Sequence, residues 1–167
     1  MSDDVIISIR GLVKSFRGEG GRPVRVLDGV TVDVLRGETL VIMGGSGCGK
    51  STLLNCLIGH YSIDEGSIAY RLAGWTRARE ITRMSEGQLN AVRMRFGILF
   101  QSGALFNSMT VAENVALPLK EHSYVDQSVI DIVVALKLQQ VHMLAHRDKM
   151  PGQLSGGQRK RVGLARA

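Results

Sequence analysis

The chain has little of several residue types that mark particular classes of protein. Its 167 residues include two cysteines, three prolines and 5% aromatic residues. Cys48 and Cys56 alone supply neither a disulfide framework nor a zinc knuckle. No apolar run approaches the roughly 18 residues that cross a bilayer. The acidic start MSDDVIISIR also lacks the basic and apolar regions of a secretion signal. We therefore expect a soluble, cytosolic domain.

Glycine and basic side chains, by contrast, are plentiful. The chain holds 20 glycines and has a net charge of +6, which favours anionic partners such as nucleotides, nucleic acid or acidic lipid headgroups. No stripe of alternating aromatic and basic residues supports nucleic-acid binding, so we expect none. The length is that of one domain with a substantial core.

Alternation of strand-like and helix-like segments predicts an α/β layered fold. Strands are predicted at 5–9, 12–16, 24–35 (with a turn at Asp28-Gly29), 38–43, 67–72 and 96–100. Helices are predicted at 50–58, 86–95 and 129–138, and in pieces beyond Thr110 that break near Pro118 and around Ser123. The run TLVIM in 38–43 has the continuous apolar character of a buried strand.

A glycine loop between the 38–43 strand and the 50–58 helix has the spacing of a phosphate cradle. The stretch GGSGCGKS, residues 44–51, fits G-x-x-x-x-G-K-[ST]. Its backbone N–H groups and the following helix N-terminus are suited to a triphosphate, with Lys50 on the β- and γ-phosphates and Ser51 on Mg²⁺. The predicted phosphate-binding residues are Gly44, Gly45, Ser46, Gly47, Cys48, Gly49, Lys50, Ser51 and Thr52.

A second anion-binding turn, LSGGQ, occupies 154–158. Ser155 is a favourable N-cap, Gly156 and Gly157 permit close approach of the backbone, and a helix from Gln158 directs its positive end to the turn. One triphosphate rarely needs two such devices within one domain. The pair predicts a head-to-tail dimer, in which each nucleotide lies between the loop of one copy and the LSGGQ turn of the other.

GGSGCGKST followed by LSGGQ about a hundred residues later resembles the ATP-binding cassette (ABC) ATPases. The resemblance implies a P-loop NTPase fold with an N-terminal antiparallel β part, a RecA-like core and a helical subdomain at about 100–150. It implies ATP and Mg²⁺ as cofactors, with Gln101, after FGILF, as a catalytic residue that joins Ser51 at the metal. Phe16 lies where the family stacks an aromatic ring on adenine; the alternative for Phe16 is a core position in a strand, and for Gln101 an exposed loop amide.

The segment LFQSGALFNSMTVAENVALPLKEH, residues 99–122, is similar to the Mla/Mce-type bacterial lipid transport ATPases. This resemblance implies an ATP-binding subunit on the cytoplasmic face of the inner membrane. It would energise an integral membrane permease through 101–122 without binding the lipid itself. Alternatives are an ABC ATPase for another substrate, or a soluble ABC protein with no membrane partner. The apolar residues Ala104, Leu105, Phe106 and Met109 have two interpretations, a surface for a partner or part of the core.

Family members carry a Mg²⁺-binding Asp and a general-base Glu soon after the LARA segment. The sequence ends with that segment, at Ala167, and so contains neither residue. We therefore expect a C-terminally truncated cassette that binds ATP but does not hydrolyse it alone. The strand that precedes those acids would lie beside the 38–43 strand. Four basic residues follow LSGGQ, and they either contact phosphates or solvate the helix: Arg159, Lys160, Arg161 and Arg166.

Overall fold

The computed structural model of the protein describes residues 4–101 and 103–167, which divide into two compact units at Arg93 and Met94. The first unit contains strands β1 (Val5–Arg17), β2 (Pro23–Leu35), β3 (Glu65–Tyr70) and β4 (Arg79–Glu80), with helices α1 (Lys50–Leu57) and α2 (Glu86–Arg93). The second unit contains helices α3 (Val111–His122), α4 (Gln127–Gln140) and α5 (Gly156–Arg166). Short 3-10 turns occupy Glu19–Gly21, Ile81–Arg83, Leu144–His146 and Pro151–Gln153.

An antiparallel sheet in the order β2-β1-β3-β4 organises the first unit. Ile9 and Leu12 of β1 and Ile68 of β3 are fully buried, as expected for the apolar face of a sheet. Leu53 and Cys56 of α1 are buried as well. The sheet is the antiparallel β part that the sequence predicts.

One predicted strand boundary and one predicted turn are wrong, because the strand pairing continues through both segments at bulges. The segments 5–9 and 12–16 form one strand, in which Gly11 adopts φ +55° while the register to β2 shifts between Ile9 and Leu12. The predicted strand at 24–35 is present as β2, but Asp28-Gly29 lies within the strand at a register shift rather than in a turn. A bulge lets a strand absorb an extra residue where the local sequence indicates a turn.

The predicted strands at 38–43 and 96–100 are not formed. Both segments are irregular, and their apolar side chains are exposed: Val41 is 68% exposed and Met43 85%. A strand is stabilised by hydrogen bonds to neighbouring strands, and neither segment is part of the four-stranded sheet that the described residues form. The apolar pattern indicates strand propensity, but the local sequence does not specify which neighbouring strand the segment would pair with.

Three helices and the turns between them build the core of the second unit. Buried residues of α4 lie on one face at four-residue spacing, Ile130, Val134 and Leu138, which confirms the predicted helix there. The predicted break near Pro118 is wrong, because α3 continues to His122. Burial of Val111, Val115 and Ala116 holds α3 in the core despite the proline. The predicted break around Ser123 is confirmed, because Ser123 is the C-cap of α3.

Among the residues described, no helix combines the length and apolar character needed to cross a membrane.

Candidate functional site

The loop at 44–49 enters α1 through a glycine that no other residue replaces without strain. Gly49 is the N-cap of α1 and adopts φ +96°, in the left-handed region. A Cβ at this position would lie 3.0 Å from Val26 O and 2.9 Å from Leu27 Cδ2. The close approach of the loop to β2 therefore depends on glycine. Residues 44–48 are exposed, so their backbone is accessible to a ligand.

Lys50 folds back over this loop. Its Nζ donates hydrogen bonds to the carbonyl oxygens of Gly44 (2.8 Å) and Gly45 (2.7 Å), and it lies 3.4 Å from Cys48 Sγ. The ammonium group is therefore held at the centre of the loop rather than extended into solvent. A positive charge at this point is placed to attract a polyphosphate.

The first turn of α1 has the chemistry that magnesium and phosphate require. The first N–H groups of any helix lack intrahelical partners and carry the positive end of its dipole. Ser51 is exposed in this turn and Thr52 is half-buried, so the Ser51 hydroxyl oxygen is accessible as a ligand for a hard cation. The residues present fit a Mg²⁺–triphosphate, with Lys50 and Ser51 as its charged and hydroxyl contacts.

Phe16 lies in the same unit, at the end of β1, and is 37% exposed. Its ring centroid is 5.4 Å from that of Tyr61, at an interplanar angle of 77°. Lys14 Nζ is 5.4 Å from the centre of the Phe16 ring. The core alternative for Phe16 is not supported, because more than a third of the side chain is open to solvent.

The LSGGQ turn begins α5 with a complete capping box in the second unit. Ser155 Oγ accepts a hydrogen bond from the Gln158 N–H (3.2 Å), and Gln158 Oε1 accepts one from the Ser155 N–H (2.8 Å). The N-cap prediction is therefore confirmed, although the helix starts at Gly156 rather than Gln158. Gly156 and Gly157 are exposed at its first turn, where their N–H groups lack helical partners.

His146 supports the glutamine of this turn, a role that no local sequence signal indicates. Its Nε2 lies 3.4 Å from Gln158 Nε2. Because Gln158 Oε1 already accepts from Ser155, the amide NH₂ faces the imidazole, and Nε2 of the ring is the acceptor. Of the basic residues after the turn, Arg159 donates to Leu154 O (2.6 Å), so it serves the local structure.

Gln101 is exposed, and the loop that follows it is held against α5. Gly103 adopts φ +80°, and a Cβ there would lie 2.8 Å from Arg159 O. Arg166 donates to the carbonyls of Ala104 (2.7 Å) and Gly103 (3.1 Å). The loop after the glutamine and the helix after LSGGQ are thus packed together backbone to backbone.

The apolar cluster after Gln101 is divided between core and surface. Leu105 packs against the core of the second unit, and Met109 is half-buried. Phe106 is 51% exposed and borders an open hollow of about 420 Å³ with Phe100, Ala104, Leu117 and Pro118. Both interpretations of the cluster therefore apply, each to different residues.

The predicted site residues fall into two groups by unit. The first unit contains the 44–49 loop, whose Gly49 lies against Val26 and Leu27 of β2, and it also contains the start of α1 and Phe16. The second unit holds Gln101 and the LSGGQ turn, joined through Gly103 and α5. Each group of predicted site residues therefore lies within a single unit.

A lysine-centred glycine loop leading into a helix, with a capped LSGGQ turn, defines a P-loop nucleotide-binding protein of the cassette class. The family model described as ABC transporter matches residues 27–167. The chain therefore belongs to the ABC transporter family, whose ATP-binding cassettes hydrolyse ATP. The predicted family and fold class are both confirmed.

Two groups of curated relatives are similar to the chain. It is 42% identical over 163 residues to the probable ribonucleotide transport ATP-binding protein Mkl of Mycobacterium leprae, a match that covers 98% of this chain and 44% of the relative. It is 40% identical over 142 residues to the intermembrane phospholipid transport system ATP-binding protein MlaF of Escherichia coli K12, covering 85% of this chain and 51% of the relative. The chain thus spans about half the length of the curated relatives it matches.

Solved cassettes share the same fold. A dimeric structure of a bacterial ABC transporter cassette superposes with a TM-score of 0.84 at 27% identity, covering 96% of this chain and 68% of that chain. A dimeric post-hydrolysis state of an ATP-binding cassette, bound to ADP and Pi, superposes with a TM-score of 0.83 over the same shares.

Proposed function

We propose that this chain supplies the ATP- and Mg²⁺-binding elements of an ABC-type lipid transport ATPase. The observation that carries the proposal is the 44–51 loop, in which an exposed backbone surrounds the Lys50 ammonium at the start of α1. In this assignment Phe16 stacks on the adenine, Lys50 contacts the β- and γ-phosphates, and Ser51 and Gln101 bind Mg²⁺. When bound, the ion neutralises phosphate charge and so makes the terminal phosphoryl group easier to transfer.

Nucleotide affinity tests this assignment directly. Replacing Lys50 with alanine removes the charged contact, which is worth about 1.5–3 kcal/mol for a hydrogen bond to a charged group. We expect the ATP affinity to fall by about tenfold or more, measured by titration calorimetry. Lys137→Ala, on the exposed surface of α4, is the matched control and should bind ATP like the wild type. Equal affinities for both variants would contradict the assignment.

We further propose that two copies bind ATP between the loop of one and the LSGGQ turn of the other. Exposure of Gly156 and Gly157 at the start of α5 supports this, as does the dimeric state of the solved cassettes it resembles. Sedimentation velocity with and without Mg²⁺–ATP tests it. We expect ATP-dependent dimers that Gly157→Arg abolishes, because the long side chain fills the space of the phosphates. A monomer at saturating ATP would refute the dimer.

A membrane permease is the proposed partner of the second unit. Phe100 and Phe106 expose aromatic surface beside a hollow that Glu121, His122 and Arg166 rim with polar groups. An exposed aromatic patch with a polar rim is typical of an interaction site. We expect Phe106→Glu to reduce the share of the protein that co-sediments with membranes. Ile132→Glu on exposed α4 should not, and ATP affinity should remain unchanged in both variants.

Phospholipid transport is the substrate assignment that the MlaF match supports. In this proposal the protein acts at the cytoplasmic face of the membrane. The Mkl match supports a second candidate, ribonucleotide transport. Source cells lacking the protein distinguish the two. Altered phospholipid distribution between the membranes with normal ribonucleotide uptake supports the first candidate, and the reverse result supports the second.

A further inference from the structure

Tyr61 belongs to none of the sequence motifs, yet it is the aromatic side chain that contacts Phe16. The two rings are nearly perpendicular, with centroids 5.4 Å apart, which is a favourable edge-to-face geometry. The His60 ring lies 5.2 Å from Tyr61, tilted by 39°. Phe16 nevertheless remains 37% exposed, so part of its side chain is accessible to a flat ligand.

The backbone of Tyr61 is tied to the helix that leaves the phosphate loop. The N–H groups of His60 (2.8 Å) and Tyr61 (3.2 Å) both donate to Asn55 O, near the C-terminus of α1. Lys50 begins the same helix. Tyr61 therefore connects the helix of the phosphate site to the aromatic ring at the end of β1.

Asp64 fixes the other side of this connection. Its carboxylate accepts the Ser15 N–H (2.6 Å) and pairs with Lys14 Nζ (3.2 Å), and its own N–H donates to Val13 O (2.9 Å). The Ser15 N–H and the Lys14 charge lower the pKa of Asp64. The residues on either side of Tyr61 are thus anchored to α1 and to β1.

We propose that Tyr61 is a positioning residue that holds Phe16 for stacking on the base of the bound nucleotide. This inference rests on the proposed function, in which Phe16 contacts adenine. Tyr61 acts through Phe16, by restricting the orientation of its ring, and it makes no contact with the phosphates. Its contribution therefore appears only for ligands that carry a base.

Binding of ATP and of inorganic tripolyphosphate by the purified protein tests the proposal. Edge-to-face pairs contribute about 0.5–1.5 kcal/mol, so Tyr61→Leu should weaken ATP binding about two- to twelvefold and leave tripolyphosphate binding unchanged. Tyr61→Phe keeps the ring and should retain wild-type affinity for both. In a Phe16→Ala background, Tyr61→Leu should cause no further loss, because its effect passes through Phe16.

Three outcomes overturn the proposal: an equal loss for ATP and tripolyphosphate, a Tyr61→Phe variant as weak as Tyr61→Leu, or a full additional loss in the Phe16→Ala background. Tripolyphosphate binding also shows that each variant is folded. Tyr124→Leu, at a fully exposed tyrosine, is the matched control. The proposed function fails separately, if the wild type does not bind ATP or if Phe16→Ala binds ATP as tightly as the wild type.

Discussion

Asn114 is the residue whose replacement should most clearly loosen the loop between Gln101 and α3. Its side chain is completely buried, and its Oδ1 accepts the Phe106 N–H at 2.8 Å. Its Nδ2 donates to the carbonyls of Phe106 (3.1 Å), Met109 (3.1 Å) and Thr110 (2.9 Å). The side-chain amide of Asn114 therefore holds the loop that carries Phe106, part of the surface proposed to bind the permease.

The cost of Asn114→Ala follows from what each partner loses. In the variant, Thr110 O still accepts a hydrogen bond from the backbone N–H of residue 114, and Phe106 O still accepts one from the Met109 N–H. These two carbonyl groups therefore remain hydrogen-bonded. The Phe106 N–H and Met109 O lose the partner that Asn114 provides. Leaving a buried donor or acceptor unpaired costs about 1–3 kcal/mol, and each of these two groups should lie near about 1.5 kcal/mol because water reaches this half-exposed loop. We expect a total of about 3 kcal/mol.

Hydrogen exchange of the α3 amides is the appropriate assay, because it reports on the second unit alone. A loss of about 3 kcal/mol in the opening free energy accelerates exchange about 100-fold. Asn107→Ala is the matched control, since Asn107 is an exposed residue of the same type in the same loop. An acceleration of less than about threefold, or one equal to that of the control, would refute the reasoning.

Three further predictions concern backbone strain and ionisation. Gly49→Ala should destabilise the first unit by about 2 kcal/mol, because φ is +96° and the new methyl group meets Val26 O. Gly45→Ala is the control and should cost less, since its methyl group meets nothing within 4 Å; hydrogen exchange of the α1 amides measures both variants. His142→Gly should stabilise the second unit by about 0.5–1 kcal/mol by relieving φ +56°, while His142→Ala should not, as urea denaturation would show; an equal gain for alanine contradicts this. Burial raises the pKa of Tyr70, so stability should fall above about pH 10, where only the unfolded Tyr70 loses its proton; urea denaturation at rising pH measures this, and a stability that does not fall there would be inconsistent with burial.

Local sequence was enough to predict where the two glycine-rich turns lead into helices. In GGSGCGKS and LSGGQ, the left-handed glycine, the N-cap serine and the following helix are specified by adjacent residues, and the structure has Gly49 and Ser155 as the two helix caps. Helix α4 was predictable for a similar reason, since its buried residues recur at helical spacing. The assignment of Lys50, Ser51, Phe16 and Gln101 to ATP and Mg²⁺ stays a prediction.

Only the tertiary structure decided which segments pair and which side chains support the site. The apolar run at 38–43 has the composition of a strand, but a strand also needs hydrogen bonds to a neighbouring strand. This segment is not part of the sheet that the described residues form. Tyr61 meets Phe16 from 45 positions away. Arg166 donates hydrogen bonds to the carbonyl groups of Gly103 and Ala104, which lie 63 and 62 positions earlier in the chain. Such contacts depend on how distant elements pack, and the residues next to each partner in the sequence carry no signal of them.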